Sequence, residues 1–143
     1  MPYRFLESIA TADIAFEAWG STIEEMFVEA AEATVNVMVD SLATISRHET
    51  ITLVLENDAL DMLLFDFLSE IVYIKDTSRL LLRVVNIAIK KGEGVLELAV
   101  TLAGEKIDPA RHKLNVDVKA VTMHLFEVTK TVAGWKAIVV LDI

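Results

Sequence analysis

The spacing of the apolar residues changes at about Arg79, and this change constrains the fold more than any other feature of the sequence. In segments 22–39 and 60–72 the apolar side chains recur at helical spacing, which is typical of amphipathic helices. After Arg79 they alternate with polar residues, as the side chains of half-buried strands do. The sequence therefore predicts two helices followed by a run of strands.

Polar residues mark where the two helices begin. Thr22 and Glu25 have the spacing of a capping box and predict a helix from about Thr22 to Val39. Asp58, followed by Asp61, predicts the cap of a second helix that begins near Leu60.

Stretches rich in alternating or branched apolar residues predict the strands. These are Tyr3–Glu7, Thr11–Ala18, Glu49–Glu56, Leu80–Ile89, Val95–Leu102, Val121–Thr129 and Trp135–Leu141. Lys91-Gly92-Glu93-Gly94 and Ala133-Gly134 are hairpin turns by composition, whereas the polar segment Gly104–Asn115 is expected to be a loop.

The order of these elements predicts an α+β fold. We expect a two-layer sandwich in which two helices pack on one face of a mixed, mostly antiparallel sheet. With 143 residues, 54% of them hydrophobic, the chain is expected to form a single domain over residues 1–143.

Charge and cysteine content exclude several classes of function. The 13 Lys and Arg against 22 Asp and Glu give a net charge of 13 − 22 = −9, which disfavours direct, stable binding to nucleic acid. The chain contains no Cys, which excludes thiolate metal sites and fits a reducing cytoplasm. Neither a signal peptide nor an apolar run of roughly 20 residues is present, so we expect a cytoplasmic protein without a membrane span.

Catalytic signatures are absent from the sequence. It contains no P-loop, no GxGxxG, no GxSxG and no H-E-x-x-H, so we expect a protein that is not an enzyme. A metal-dependent hydrolase remains an alternative, without a general base that the sequence places near a metal. Of the three histidines, His112 in the polar segment is the best candidate for a role beyond packing.

Two aspartates interrupt or end apolar segments, where a carboxylate is costly to bury. Asp13 lies within Ala12–Phe16, and Asp142 follows the apolar run 138–141. If Ile143 is the true C-terminus, its carboxylate adds a second charge next to Asp142, and a cation would relieve their repulsion. Oxygen ligands without thiolates favour calcium or magnesium. The alternative is a solvated, frayed terminus.

Several blocks of the sequence resemble the archease family, in the order in which that family has them. The blocks are Thr11–Ile14, Gly20, Thr22–Phe27, Gly104-Glu105 with Asp108, Arg111 and His112, Val118–Thr122 with His124, and Gly134-Trp135 continuing to Asp142-Ile143. They span nearly the whole chain.

The resemblance implies a function, a partner and a metal site. Archeases activate the RtcB-type RNA ligase of tRNA splicing by promoting its guanylylation. The implied metal-binding positions are Asp13, Asp142 and the main-chain oxygen of Ile143, with calcium as the ion. Lys119 is expected either to balance the carboxylates or to contact the ligase or its nucleotide; the alternative is an ion pair with a neighbouring acid on a strand. His112 is a second candidate for the contact with the ligase or its nucleotide.

The sequence departs from the family pattern at two positions near Asp13. Ala10 stands where the family usually has His, and Ala15 stands where Gly is common. The imidazole's hydrogen bond to a metal ligand is therefore expected to be missing.

A second hypothesis needs no metal. The protein would be a general chaperone or modulator of RNA-modifying enzymes, such as tRNA methyltransferases, and would act through exposed apolar surface.

Overall fold

The computed structural model describes residues 2–7 and 13–143. In chain order the elements are β1 (Tyr3–Leu6), β2 (Asp13–Gly20), α1 (Ile23–Met38), a short 3₁₀ helix (Leu42–Thr44), β3 (Glu49–Asn57), α2 (Leu60–Ser78), β4 (Leu80–Lys91), β5 (Leu96–Lys106), β6 (Ala120–Thr131) and β7 (Gly134–Asp142).

These strands form two sheets. The first has the order β1-β2-β7-β6 and the second β3-β5-β4. Every neighbouring pair within these two sheets is antiparallel. The predicted α+β class, with two helices and antiparallel strands, is confirmed; the strands divide between two sheets instead of forming one.

Both helices contact both sheets, and the apolar core lies among these layers. Helix α1 packs against β2 and β7 of the first sheet and β4 of the second, whereas α2 packs against β6 and all three strands of the second sheet. Phe27 of α1 and Phe67 of α2 stack with ring centroids 6.0 Å apart. The helical spacing of the apolar residues thus buries one face of each helix against the strands.

Helix α1 has the predicted bounds and cap. The Thr22 hydroxyl accepts a hydrogen bond of 3.1 Å from the Glu25 amide. The Glu25 carboxylate accepts one of 2.8 Å from the amide of Ser21, one residue before the cap. The first bond satisfies an amide group of the first turn that has no helical partner, and the second holds the residue before the cap against the helix.

The predicted cap of α2 was wrong. The N-cap is Ala59 without a side-chain hydrogen bond, and Asp58 does not cap the helix. The side chain that stabilises the turn before the helix is that of Asn57, whose oxygen accepts a hydrogen bond of 3.1 Å from the Ala59 amide. A polar residue two positions earlier therefore shapes the turn into the helix.

The predicted loop Gly104–Asn115 begins later than expected. Strand β5 continues through Lys106, and Gly104 pairs with Leu82 of β4 and Glu49 of β3. A Cβ atom on Gly104 would lie 1.7 Å from the Leu81 carbonyl oxygen. Glycine here permits the close approach of two backbones, so its presence marks a strand and not a turn.

Both predicted hairpins are confirmed, since β4 pairs with β5 and β6 with β7. Thr11 and Ala12, the predicted start of the second strand, lie outside the described residues. Within the described part of the chain, no helix is long and apolar enough to cross a membrane.

The close approach of the two backbones at Gly104 predicts that adding a single methyl group there destabilises the fold. Gly104→Ala should lower the free energy of unfolding by about 2 to 4 kcal/mol, because the two strands must separate to admit it. Gly92→Ala is the matched control, since a Cβ there meets only ordinary contacts from 3.4 Å outward. Urea denaturation measures both, and a Gly104→Ala protein as stable as Gly92→Ala would contradict the assigned packing.

Candidate functional site

Asp13 and Asp142 are directly opposite each other on neighbouring strands. They are Cα partners in the β2–β7 pairing, at the end of the first sheet. Opposite residues of an antiparallel pair project from the same face, with Cβ atoms roughly 5 Å apart. Both residues are half-buried. The structure thus brings together two carboxylates that are 129 positions apart in the sequence (142 − 13).

The third strand adds Lys119 to this end of the sheet. Ala120 of β6 is the partner of Asp142 on the other side, and the Lys119 amide donates a 2.8 Å hydrogen bond to the Asp142 carbonyl oxygen. The half-buried side chain of Ile143 packs against the core. This packing of the Ile143 side chain fixes the position of its main-chain oxygen next to Asp142.

The donor set consists of oxygen atoms. No group of three His, Cys, Asp or Glu side chains that could hold a metal ion occurs among residues 2–7 and 13–143. Two carboxylates and one main-chain oxygen would fill only part of the six to eight positions around calcium. Ala10, the departure expected to remove a supporting hydrogen bond, lies outside the described residues.

A buried lysine fixes the segment that leads into Lys119. Lys75 of α2 is 2% exposed, and its ammonium donates to Asp76, to Asp117 at 2.7 Å and to the Val118 carbonyl at 2.8 Å. These bonds tie the end of α2 to the residues just before Lys119. Sequence reasoning missed this contact, although Lys75 falls four residues after Ile71, on the apolar face of the helix.

His112 does not join the carboxylate pair. Its ring is 1% exposed; Nδ1 accepts from the Asp108 amide at 2.9 Å, and Nε2 lies 3.0 Å from a Glu105 oxygen. Since Nδ1 is an acceptor, Nε2 carries the hydrogen and donates to Glu105. The imidazole therefore holds the segment around Asp108 against Glu105. A contact of His112 with a partner or nucleotide stays a prediction.

Glu105 is the centre of this second cluster. Arg111 donates to its two oxygens at 2.6 and 2.9 Å, and the Ser46 amide donates at 2.7 Å. The Arg111 guanidinium, followed by the Ser46 amide, holds the pKa of the Glu105 carboxyl far below its usual value. The cluster links β5 to the segment before β3 and to the segment that follows β5.

Comparison with known proteins identifies the family. The model of the Archease protein family (MTH1598/TM1083) matches residues 3–143. The chain belongs to the archease family. It is 38% identical over 142 residues to the protein archease of Methanosarcina mazei, covering 99% of this chain and 95% of that one. It is 34% identical over 143 residues to that of Archaeoglobus fulgidus, with both chains covered completely.

Solved structures share the archease fold. The solution structure of Methanobacterium thermoautotrophicum protein 1598 superposes with a TM-score of 0.86, at 31% identity over 99% of each chain. The crystal structure of a Thermotoga maritima archease, described as a possible chaperone, gives a TM-score of 0.63 at 22% identity, over 94% of this chain and 93% of that one. At that identity the second similarity concerns the fold alone.

The Glu105 cluster predicts a pH dependence of stability. Because the folded-state pKa of Glu105 is depressed, its contribution is complete above the usual pKa of 4.5 and declines as the pH falls below it. Glu105→Gln should therefore be less stable than the unmodified protein at pH 7, and this difference should shrink between about pH 4.5 and pH 2.5. Thermal unfolding across that range measures it. A difference that stays constant with pH would contradict the ionic role.

Proposed function

We propose that this archease is a non-catalytic, metal-binding activator of an RtcB-type RNA ligase in tRNA splicing. It would promote guanylylation of the ligase and its return to further cycles. The observation that carries the proposal is the pairing of Asp13 with Asp142 beside Lys119. Family membership supports the partner, and the absence of catalytic signatures from the sequence supports a helper role.

The residues at this end of the sheet fit a divalent cation. Asp13, Asp142 and the main-chain oxygen of Ile143 would hold it, and such hard oxygen donors favour calcium, with magnesium as the second choice. When bound, the ion would supply positive charge and open coordination positions at the sheet end. Water or groups of the ligase would take those positions.

Lys119 has two roles that remain to be separated. Its amide already bonds to the Asp142 carbonyl, and its side chain is exposed. The ammonium would balance the carboxylate charge, or it would contact the ligase or its guanylyl group. Lys119→Ala should leave calcium binding unchanged or strengthen it, because the ammonium is not a ligand and its positive charge repels the cation.

Exposed apolar side chains support the chaperone as a second candidate function. Tyr73, Val54, Met123 and Leu125 are among the exposed large hydrophobic residues. A general chaperone acting through them would protect an RNA-modifying enzyme such as a tRNA methyltransferase from aggregation. It would do so equally well with Asp13 and Asp142 replaced.

Replacement of the paired aspartates tests the metal site. Asp13→Asn and Asp142→Asn should each weaken calcium binding at least tenfold, by the scale typical of altered metal sites (about 10- to 100-fold). Asp58→Asn is the matched control, because Asp58 is an exposed aspartate in the turn before α2. Calorimetric titration with calcium and magnesium measures the affinities. A protein without Ile143 completes the set, and an unchanged affinity would remove Ile143 from the ligand set.

The same proteins, added to a cognate RtcB-type ligase with GTP, test the activation. The unmodified archease and Asp58→Asn should raise ligase guanylylation and turnover, whereas Asp13→Asn and Asp142→Asn should not. No stimulation by the unmodified protein would refute the ligase role. Full stimulation by both aspartate variants would show that activation of the ligase does not require the metal site.

A further inference from the structure

The exposed face of α2 is acidic and carries an aromatic side chain. The helix contains Asp61, Asp66, Glu70 and Asp76, while its one basic residue, Lys75, is buried. Tyr73 projects among these acids and is 60% exposed. Exposing the large apolar ring of Tyr73 to water is less favourable than burying it in a protein contact.

Strand β6 extends this face along the helix. Phe65 near the start of α2 contacts Phe126, with ring centroids 5.6 Å apart. Tyr73 near the end of α2 lines a cavity of about 210 Å³ together with Lys119, Ala120 and Val121. The helix therefore runs beside β6 in the opposite direction. Between these two points of contact lie Met123 and Leu125, each 55% exposed.

A bulge in β6 holds these two side chains outward. Thr122 pairs with Val140 and Glu127 with Ile138, so residues 123–126 face a single residue of β7. Leu125 has φ +55°, a left-handed conformation that a leucine side chain disfavours. Backbone strain of this kind occurs mostly at functional sites. The left-handed conformation of Leu125 places its apolar side chain in solvent, where it adds nothing to the core.

We propose that Tyr73, Met123 and Leu125, together with the acids around them, form the surface that docks on the protein partner. This α2–β6 surface fits an apolar patch rimmed by Lys and Arg, since the carboxylates of Asp66, Glu70, Asp76 and Asp117 outnumber the ammonium groups of Lys75 and Lys119 there. The inference rests on the proposed function, in which the partner is the RtcB-type ligase. Because Lys119 lines the same cavity as Tyr73, docking here would place Lys119 against the ligase.

Charge argues against two other occupants of this surface. A second copy of the chain would place acidic rims against each other, and like charges across an interface are strongly unfavourable. Nucleic acid would meet the same repulsion from a chain of net charge −9.

Leu125→Asn and Tyr73→Ser test the surface. Asparagine tolerates the left-handed conformation, so Leu125→Asn should keep or raise the melting temperature while it weakens ligase binding about tenfold. Val54→Thr is the matched control, since Val54 is 60% exposed on β3 of the other sheet. Calorimetry with a cognate ligase gives the Kd, and calcium affinity should be unchanged in all three variants.

The outcomes separate this inference from the proposed function. If the unmodified protein fails to bind the ligase, the proposed function fails, and the docking surface fails with it. If the unmodified protein and Val54→Thr bind, but Leu125→Asn and Tyr73→Ser bind equally well, the docking surface alone is wrong. A dimer of the unmodified protein that Leu125→Asn dissociates in sedimentation experiments would assign the surface to a second copy and overturn the proposal.

Discussion

The antiparallel pairing of β2 with β7 joins the two ends of the chain, and the site depends on its register. Phe16 and Val139 are partners in this pairing, and both are fully buried in the core. A slip by one residue would turn these apolar side chains away from the core. It would also separate Asp13 from Asp142, so the packing that stabilises the fold also holds the carboxylates opposite each other.

Two ionic clusters position the long connection between β5 and β6. Glu105 binds Arg111 and His112 where the connection begins, and Lys75 binds Asp117 and the Val118 carbonyl where it ends. Separating the partners of a buried ionic contact leaves an uncompensated charge, which is strongly destabilising. Each cluster therefore holds its segment of the connection in one position. The connection therefore reaches Lys119 beside the end of β7, where the Lys119 amide bonds to Asp142.

Local signals in the sequence predicted the local structure well. Thr22 and the apolar spacing behind it predicted α1, and Lys91–Gly94 predicted the β4–β5 hairpin. The division into two sheets was not predicted, because pairings such as β3 with β5 depend on contacts between distant residues. Physical reasoning also found Asp13 and Asp142 separately, but only the resemblance to archeases joined them. Neither the buried Lys75 nor the left-handed Leu125 was foreseen, since both contradict the ordinary preferences of their residue types.

We propose that the start of β2 and the end of β7, with the residues beside them, form one cation site. A calcium titration followed by amide chemical shifts in NMR tests it most directly. We expect saturable shifts concentrated at Asp13, Asp142, Ile143 and the neighbouring Lys119. Saturable shifts concentrated elsewhere, for example on the acidic first turn of α1 at Glu24 and Glu25, or no shifts at all, would contradict it.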